Sequence, residues 1–264
     1  MAEKLIMPLQ KTQKQLEKMR RSGALLSRAL SAAAAAVRPG ATTGELDRLA
    51  EEIIRAGGGE PSFLGYKTRA KDRPYPTTMC TSINHEVVHA PAEPSRELKN
   101  GDIVGLDLGV RLEGLCTDAA VTVIVGEGSR SARRLQAVTR EALSRGLSVV
   151  APGRSITVIG RAIQEYVERN GFSVVRDLVG HGIGESPHEE PRVPNFYDPR
   201  FEKIKLLEGM VICIEPMVNI GGYQVSELED GWTVVTADNS LSAHFEVTLT
   251  VTAKGYEILT PLPL

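Results

Sequence analysis

An α+β fold made of two related helix–helix–sheet halves is predicted by an internal repeat, by apolar helical periodicity after each copy, and by two strands that end on a carboxylate. The segment Val37-Arg-Pro-Gly-Ala-Thr-Thr-Gly-Glu-Leu-Asp-Arg48 aligns without a gap on Val150-Ala-Pro-Gly-Arg-Ser-Ile-Thr-Val-Ile-Gly-Arg161. Downstream, Gly101-Asp-Ile-Val-Gly-Leu-Asp107 echoes Gly209-Met-Val-Ile-Cys-Ile-Glu215. One plan used twice implies a pseudo-twofold axis, with helices covering one face of a mostly antiparallel sheet.

A short segment, 1–10, precedes a single domain over 11–264, with halves of about 11–127 and 128–264. The first half opens on a helix over about 11–37, which Pro39-Gly40 terminates. Thr42 then N-caps a second helix, with Glu45 closing a capping box. Leu46, Leu49 and Ile53 form its buried stripe and Gly57 stops it. Strands follow near 79–83, 103–109 and 117–125. The second half repeats the plan with a helix over 131–150, a Pro152-Gly153 break and Ser155 as the expected N-cap. Its second helix carries Ile159, Ile163 and Val167 and stops at Gly171. Its strands, near 174–179, 211–216, 223–228, 232–236, 243–251 and 256–259, are read from β-branched alternation between Gly, Asn and Asp turns.

Composition narrows the function. With 264 residues, 42% of them hydrophobic, the chain has a sizeable core, and a net charge of −2 excludes a uniformly basic nucleic-acid binder. The basic residues are concentrated at the start, where 1–39 carry eight Lys or Arg against Glu3 and Glu17. Cys80, Cys116 and Cys213 are odd in number and lack CxxC spacing, which argues against a disulfide framework and a thiolate zinc site. A reducing, cytoplasmic setting is expected. No export pattern opens the sequence, and the longest small apolar run, Ala32 to Val37, is far short of the ~20 residues of a membrane span.

The chemistry lies in acids that sit where acids are costly. An ionised carboxylate in an apolar strand is expensive unless it is paired or binds a metal. Four such acids occur: Asp107 in Ile-Val-Gly-Leu-Asp-Leu-Gly, Asp118 before Ala-Ala-Val-Thr-Val, Glu215 after Val-Ile-Cys-Ile, and Glu246 in Ala-His-Phe-Glu-Val-Thr-Leu. Asp107 and Asp118 flank a turn, so a hairpin sets both on one sheet surface, and the repeat makes Glu215 the symmetry mate of Asp107. Four negative charges match two divalent cations. His181, between Gly180, Gly182 and Gly184, is the best imidazole to complete the set. Oxygen-rich donors with one nitrogen suit Mn, Fe(II), Co or Zn in a hydrolase. The Gly180-His-Gly-Ile-Gly184 run lacks full GxGxxG spacing and a P-loop Lys, so it is not read as a phosphate loop. His85 is expected in a surface turn.

On these residues, and on Ser62-Phe-Leu-Gly-Tyr66, Cys80-Thr-Ser-Ile-Asn84, Val88-His89, His188-Glu-Glu-Pro191, Ile214-Glu-Pro-Met217 and Asp230-Gly-Trp-Thr233, nearly the whole chain resembles the bacterial type I methionine aminopeptidases of the pita-bread metallopeptidase fold. The resemblance implies Asp107, Asp118, His181, Glu215 and Glu246 as ligands of two metal ions, with Asp118 and Glu246 shared between them. It implies His89 and His188 as catalytic histidines outside the ligand set and Glu215 as proton acceptor. It also implies a methionine pocket lined by Phe63, Tyr66, Tyr75, Cys80 and Trp232, position 63 being the one departure from the family's lining. Further departures are Ala90-Pro91-Ala92 after His89, Pro187 before His188, Val247 after Glu246, and eight residues between Tyr66 and Tyr75 where many relatives have about two. The expected activity is removal of N-terminal methionine from nascent chains by a monomer, with a small second residue preferred. The basic loop 67–74 and the N-terminal helix are expected to contact the ribosome. A proline-directed peptidase of the same fold and a binding protein that has lost activity are the competing readings; the intact ligand set and both histidines argue against the second.

Overall fold

Helix formation follows the caps. The structure, a computed structural model, describes residues 10–67 and 73–262. The α-helices among the described residues are α1 (Gln13–Ala36), α2 (Thr43–Ala56), α3 (Arg130–Ser148) and α4 (Thr157–Arg169). Thr12 and Thr42 close capping boxes with Gln15 and Glu45. Ser155 does not cap α4 as the repeat predicts. Its main chain bridges to Lys205, and its hydroxyl donates to the Glu202 carbonyl at 2.9 Å while accepting only a long 3.4 Å bond from the Thr157 N–H, so Ile156 takes the N-cap position without a side-chain cap. Gly23 lets α1 cross the chain near its end, because a Cβ there would collide with the Leu259 carbonyl.

Fifteen strands follow in order among the described residues: β1 (Glu60–Pro61), β2 (Met79–Ile83), β3 (Glu86–Val88), β4 (Ile103–Leu112), β5 (Leu115–Ile124), β6 (Ser173–Val174), β7 (Gly180–Gly182), β8 (Glu189–Val193), β9 (Val211–Ile214), β10 (Met217–Asn219), β11 (Val225–Glu227), β12 (Val234–Thr236), β13 (Ser242–His244), β14 (Glu246–Thr252) and β15 (Gly255–Ile258). Nine of them make one sheet in the order β1-β4-β5-β14-β9-β7-β8, with β2 also on β4 and β15 on β14. Smaller sheets run β13-β10-β6 and β11-β12-β3. The central part of the large sheet carries the predicted symmetry: β5 and β14 pair at the middle, and β4 and β9 flank them. Gly101 and Gly209, each two residues before one of these flanking strands, both take positive φ, 93° and 80°.

Period-2 alternation divides the sheet's faces. Leu106, Leu108, Ala119, Val121, Ile212, Ile214, Val247 and Leu249 belong to the same buried cluster as Leu26, Leu30, Leu46, Ile54, Leu135 and Ile159 of the helices. Asp107, Asp118 and Glu246 alternate with these residues and take the other face. Two expected strands are interrupted. The run 211–216 stops at Ile214 and resumes at Met217, and 243–251 breaks at Phe245. At these breaks both chains pass together from the large sheet to the small one, where Pro216, which has no N–H of its own, accepts from the Phe245 N–H. The expected strand 174–179 shrinks to β6, while β7 and β8 lie where the sequence offered only glycines and a charged run.

No helix among the described residues is long and apolar enough to cross a membrane. Residues 68–72, the greater part of the basic loop 67–74, lie outside the described residues.

Candidate metal centre

The acids converge through register. The turn between β4 and β5 is Glu113-Gly114, with φ of 51° and 83°, the two-residue geometry that matches strand twist. It sets Asp107 opposite Ala120 and Asp118 opposite Gly109, so the two carboxylates are diagonal neighbours on one face. Glu246 opposes Ala120 from the other side, on β14. Thr248 fixes the joint: its hydroxyl accepts the Asp118 N–H at 2.9 Å and donates to the Asp118 carbonyl at 2.8 Å. Glu215 leaves the end of β9 one residue beyond the Ile214–Val247 pair, which carries it to Glu246. His181 comes from the narrow strand β7. There, a Cβ on Gly180 or Gly182 would collide with the Cys213 or Glu190 carbonyl, so glycine permits the close strand packing.

The electrostatics are those of crowded, desolvated anions. Asp107, Asp118 and Glu246 are 7%, 3% and 2% exposed. Burial pushes the Asp107 carboxyl up to about 7. Burial and then the neighbouring acids hold Asp118, Glu215 and Glu246 well above the usual carboxylate range. Burial lowers His181 to about 3, so its imidazole is neutral. With Nδ1–H donating to the Gly182 carbonyl at 2.9 Å, its Nε2 lone pair faces Glu215 Oε1 at 3.4 Å and Glu246 Oε1 at 3.9 Å.

A cavity of about 620 Å³ opens over this cluster, lined by Asp107, Asp118, His181, Glu215 and Glu246 and by Phe63, Tyr66, Tyr75, Cys80 and Trp232, with Cys80 paired opposite Asp107 in the sheet. The five pocket residues form one apolar cluster, in which Tyr75 meets Trp232 edge-on at 5.1 Å. His89 and His188 also line the cavity. His89 takes a left-handed backbone, φ 62°, an uncommon state for a non-glycine residue, and burial lowers its imidazole to about 4. His188 stands 4.4 Å, ring to ring, from His181, and its Nδ1 lies 2.7 Å from the Tyr66 hydroxyl. His85 sits in the turn between β2 and β3, away from the cavity lining.

The sequence profile of metallopeptidase family M24 matches residues 17–253. The chain belongs to metallopeptidase family M24. Among M24 relatives, it is 48% identical to a methionine aminopeptidase of Clostridium perfringens over 250 residues, 95% of this chain and 97% of the relative. It is 43% identical to the methionine aminopeptidase of Escherichia coli K12 over 95% of this chain and 92% of that one. The crystal structure of methionine aminopeptidase from Thermotoga maritima superposes with a TM-score of 0.89 at 41% identity, covering 95% of this chain and 98% of that one. A prolidase from Pyrococcus furiosus, at a TM-score of 0.79 and 21% identity, shares the fold. The sheet and its neighbours are those of the pita-bread fold.

A divalent metal is the cofactor of this M24 metallopeptidase, and the residues fit one. Asp107 Oδ1, Asp118 Oδ1, Glu215 Oε1 and Glu246 Oε1 are buried without a hydrogen-bond partner, an expensive arrangement that a bound cation relieves. Glu246 belongs to every group of three or more ligand atoms that gather within 4.8 Å among the described residues: with Asp107 and Asp118, with His181 and Cys213, and with Glu215 and His244. Sequence reasoning passed over His244. It carries no signal of its own there, because a lone imidazole two residues before Glu246 reads as an ordinary strand residue.

Proposed function

We propose that this M24 enzyme removes N-terminal methionine from peptides and nascent chains in the cytosol, acting as a monomeric single domain over 11–264, with two divalent ions held by Asp107, Asp118, His181, Glu215 and Glu246. The observation that carries the reading is the joining of this acid cluster to an apolar pocket in one cavity. When bound, two such ions lower the pKa of a water and polarise a carbonyl. Glu215 takes the water's proton and delivers it to the leaving amine. In the tautomer where the Tyr66 hydroxyl, 2.7 Å away, donates to His188 Nδ1, the His188 proton sits on Nε2, from which it donates to the developing oxyanion. His89 hydrogen-bonds near the scissile nitrogen. Co, Mn, Fe(II) and Zn all suit the donor set, and a small second residue is the preferred one.

The test is hydrolysis of Met-Ala-Ser against a Gly-Pro peptide, with and without chelator. Chelator-sensitive release of methionine alone is the expected result, and preferred cleavage of Gly-Pro would move the enzyme to the proline-directed branch. Trp232→Ala is expected to cut the preference for Met over Ala at the first position by about tenfold or more, because an unbranched side chain gains about 1.5–3 kcal/mol on full burial. A variant that loses stability while its folded fraction keeps that preference would make Trp232 a core residue only.

We also propose that the basic loop 67–74, with the basic face of α1, contacts ribosomal RNA near the exit of the nascent chain. Neutralising Lys67, Arg69, Lys71 and Arg73 together is expected to weaken ribosome binding and flatten its salt dependence, with tripeptide hydrolysis nearly unchanged. Unaltered ribosome affinity at low salt would return the loop to a solvated surface segment.

A further inference from the structure

His244 is placed too firmly, and left too bare, for a core histidine. Its N–H donates to the Thr122 hydroxyl at 2.8 Å, and that hydroxyl donates to the His244 carbonyl at 2.7 Å. The backbone is thereby tied to β5 at the point where the two chains change sheets. The residue is 2% exposed, and its Nε2 has no hydrogen-bond partner. Buried side-chain nitrogens are ordinarily paired. The acid oxygen in front of it, Glu246 Oε2, is 3.8 Å away, beyond hydrogen-bond reach.

Two acids share the neighbourhood of that ring. Glu215, His244 and Glu246 each bring one ligand atom to within 4.8 Å of the others, and Glu215 Oε1 and Glu246 Oε1 are themselves buried and unpartnered. None of the three is hydrogen-bonded to another, and the ring offers at most one N–H on that side. One cation satisfies all three. An ion with bonds of about 2.1 Å spans ligand pairs up to about 4.2 Å apart, so the group closes on it with shifts of under about 1 Å.

We propose that His244 is a further metal ligand, bringing a second imidazole nitrogen to the centre on the ion that Glu215 and Glu246 hold. The inference rests on the dinuclear centre proposed above and extends its donor set. A second nitrogen moves the site's preference along the divalent series, away from Mn and toward Co and Zn, relative to a centre with one histidine.

The test is proton NMR of the Co(II)-loaded full chain in water, in which the ring N–H of each cobalt-bound imidazole is shifted far outside the ordinary range. Two such exchangeable signals are expected in the wild type and one in His244→Gln. The variant's Co(II) affinity, measured by calorimetry, is expected to fall by about tenfold or more, with Mn(II) affinity less affected. One shifted imidazole signal in the wild type, unchanged in His244→Gln, would overturn the assignment and leave the five-ligand centre standing. Absence of any shifted imidazole signal would overturn both. Should the variant fail to fold, the wild-type signal count decides alone.

Discussion

Replacing Glu246 with alanine is expected to abolish tight metal binding and to lower methionine release by about 10³-fold or more, beyond the 10–100-fold typical of losing an outer-shell partner. The reason is its place in the register. Glu246 is the one residue common to all the ligand groups, between the Asp107–Asp118 pair on one side and His181 and Glu215 on the other. Asp107→Ala, by contrast, removes an acid from one of those groups and is expected to cost one ion of the pair. Calorimetric stoichiometry with Co(II) or Mn(II) separates the two variants. Neither should unfold the metal-free protein, because each removes one of several repelling, desolvated carboxylates. Wild-type turnover by Glu246→Ala after metal stripping and reloading would refute the shared-ligand reading.

The same crowding gives the second large effect, an inversion of the stability–pH profile on metal loading. Asp107, Asp118, Glu215 and Glu246 all have folded-state pKa values above their unfolded values of about 4, so without metal the native state holds extra protons. Stability from these groups is fully present below pH ~4 and is lost as pH rises toward their folded values, about 7 for Asp107. His89, His181 and His244 act in the opposite sense. Their depressed values, about 4, 3 and 3, give stability that is present above the unfolded value of ~6.5 and lost on acidification. The two sets oppose each other between about pH 4 and 6.5, so the carboxylates are isolated above that range. From pH 6.5 to 8 the Tm of chelator-treated protein is expected to fall while that of loaded protein holds or rises, with proton release on metal binding. Parallel profiles in thermal scans with and without chelator would contradict the argument.

How much of this was legible in the sequence depends on what makes a residue anomalous. Asp107, Asp118, Glu215 and Glu246 announce themselves because an acid inside an apolar strand has no cheap structural explanation. His181 does so because its glycine neighbours leave no side chain to pack. His244 does not, since a single imidazole in Ala-His-Phe-Glu is compatible with an ordinary core strand, and only its unpartnered nitrogen in three dimensions distinguishes it. The helices were legible from caps and periodicity, and the misplaced cap at Ser155 arose because its bridge to Lys205 is a tertiary contact. Strand ends were less so. The breaks at Pro216 and Phe245 reflect a change of hydrogen-bonding partner that apolar alternation does not encode, and β7 and β8 are held by neighbours rather than by β propensity.

The bond between Tyr66 and His188 has a kinetic meaning. In the function proposed above, Tyr66 belongs to the pocket for the first side chain, and its hydroxyl also pairs with Nδ1 of the histidine assigned to the oxyanion. On that proposal, reading the substrate and accelerating its cleavage would pass through a single phenol. A side chain that underfills the pocket leaves that phenol freer to turn, and the loss is then felt at the barrier as well as in binding. Fidelity in such an enzyme is expressed as turnover: the wrong residue can be admitted and still be cut slowly.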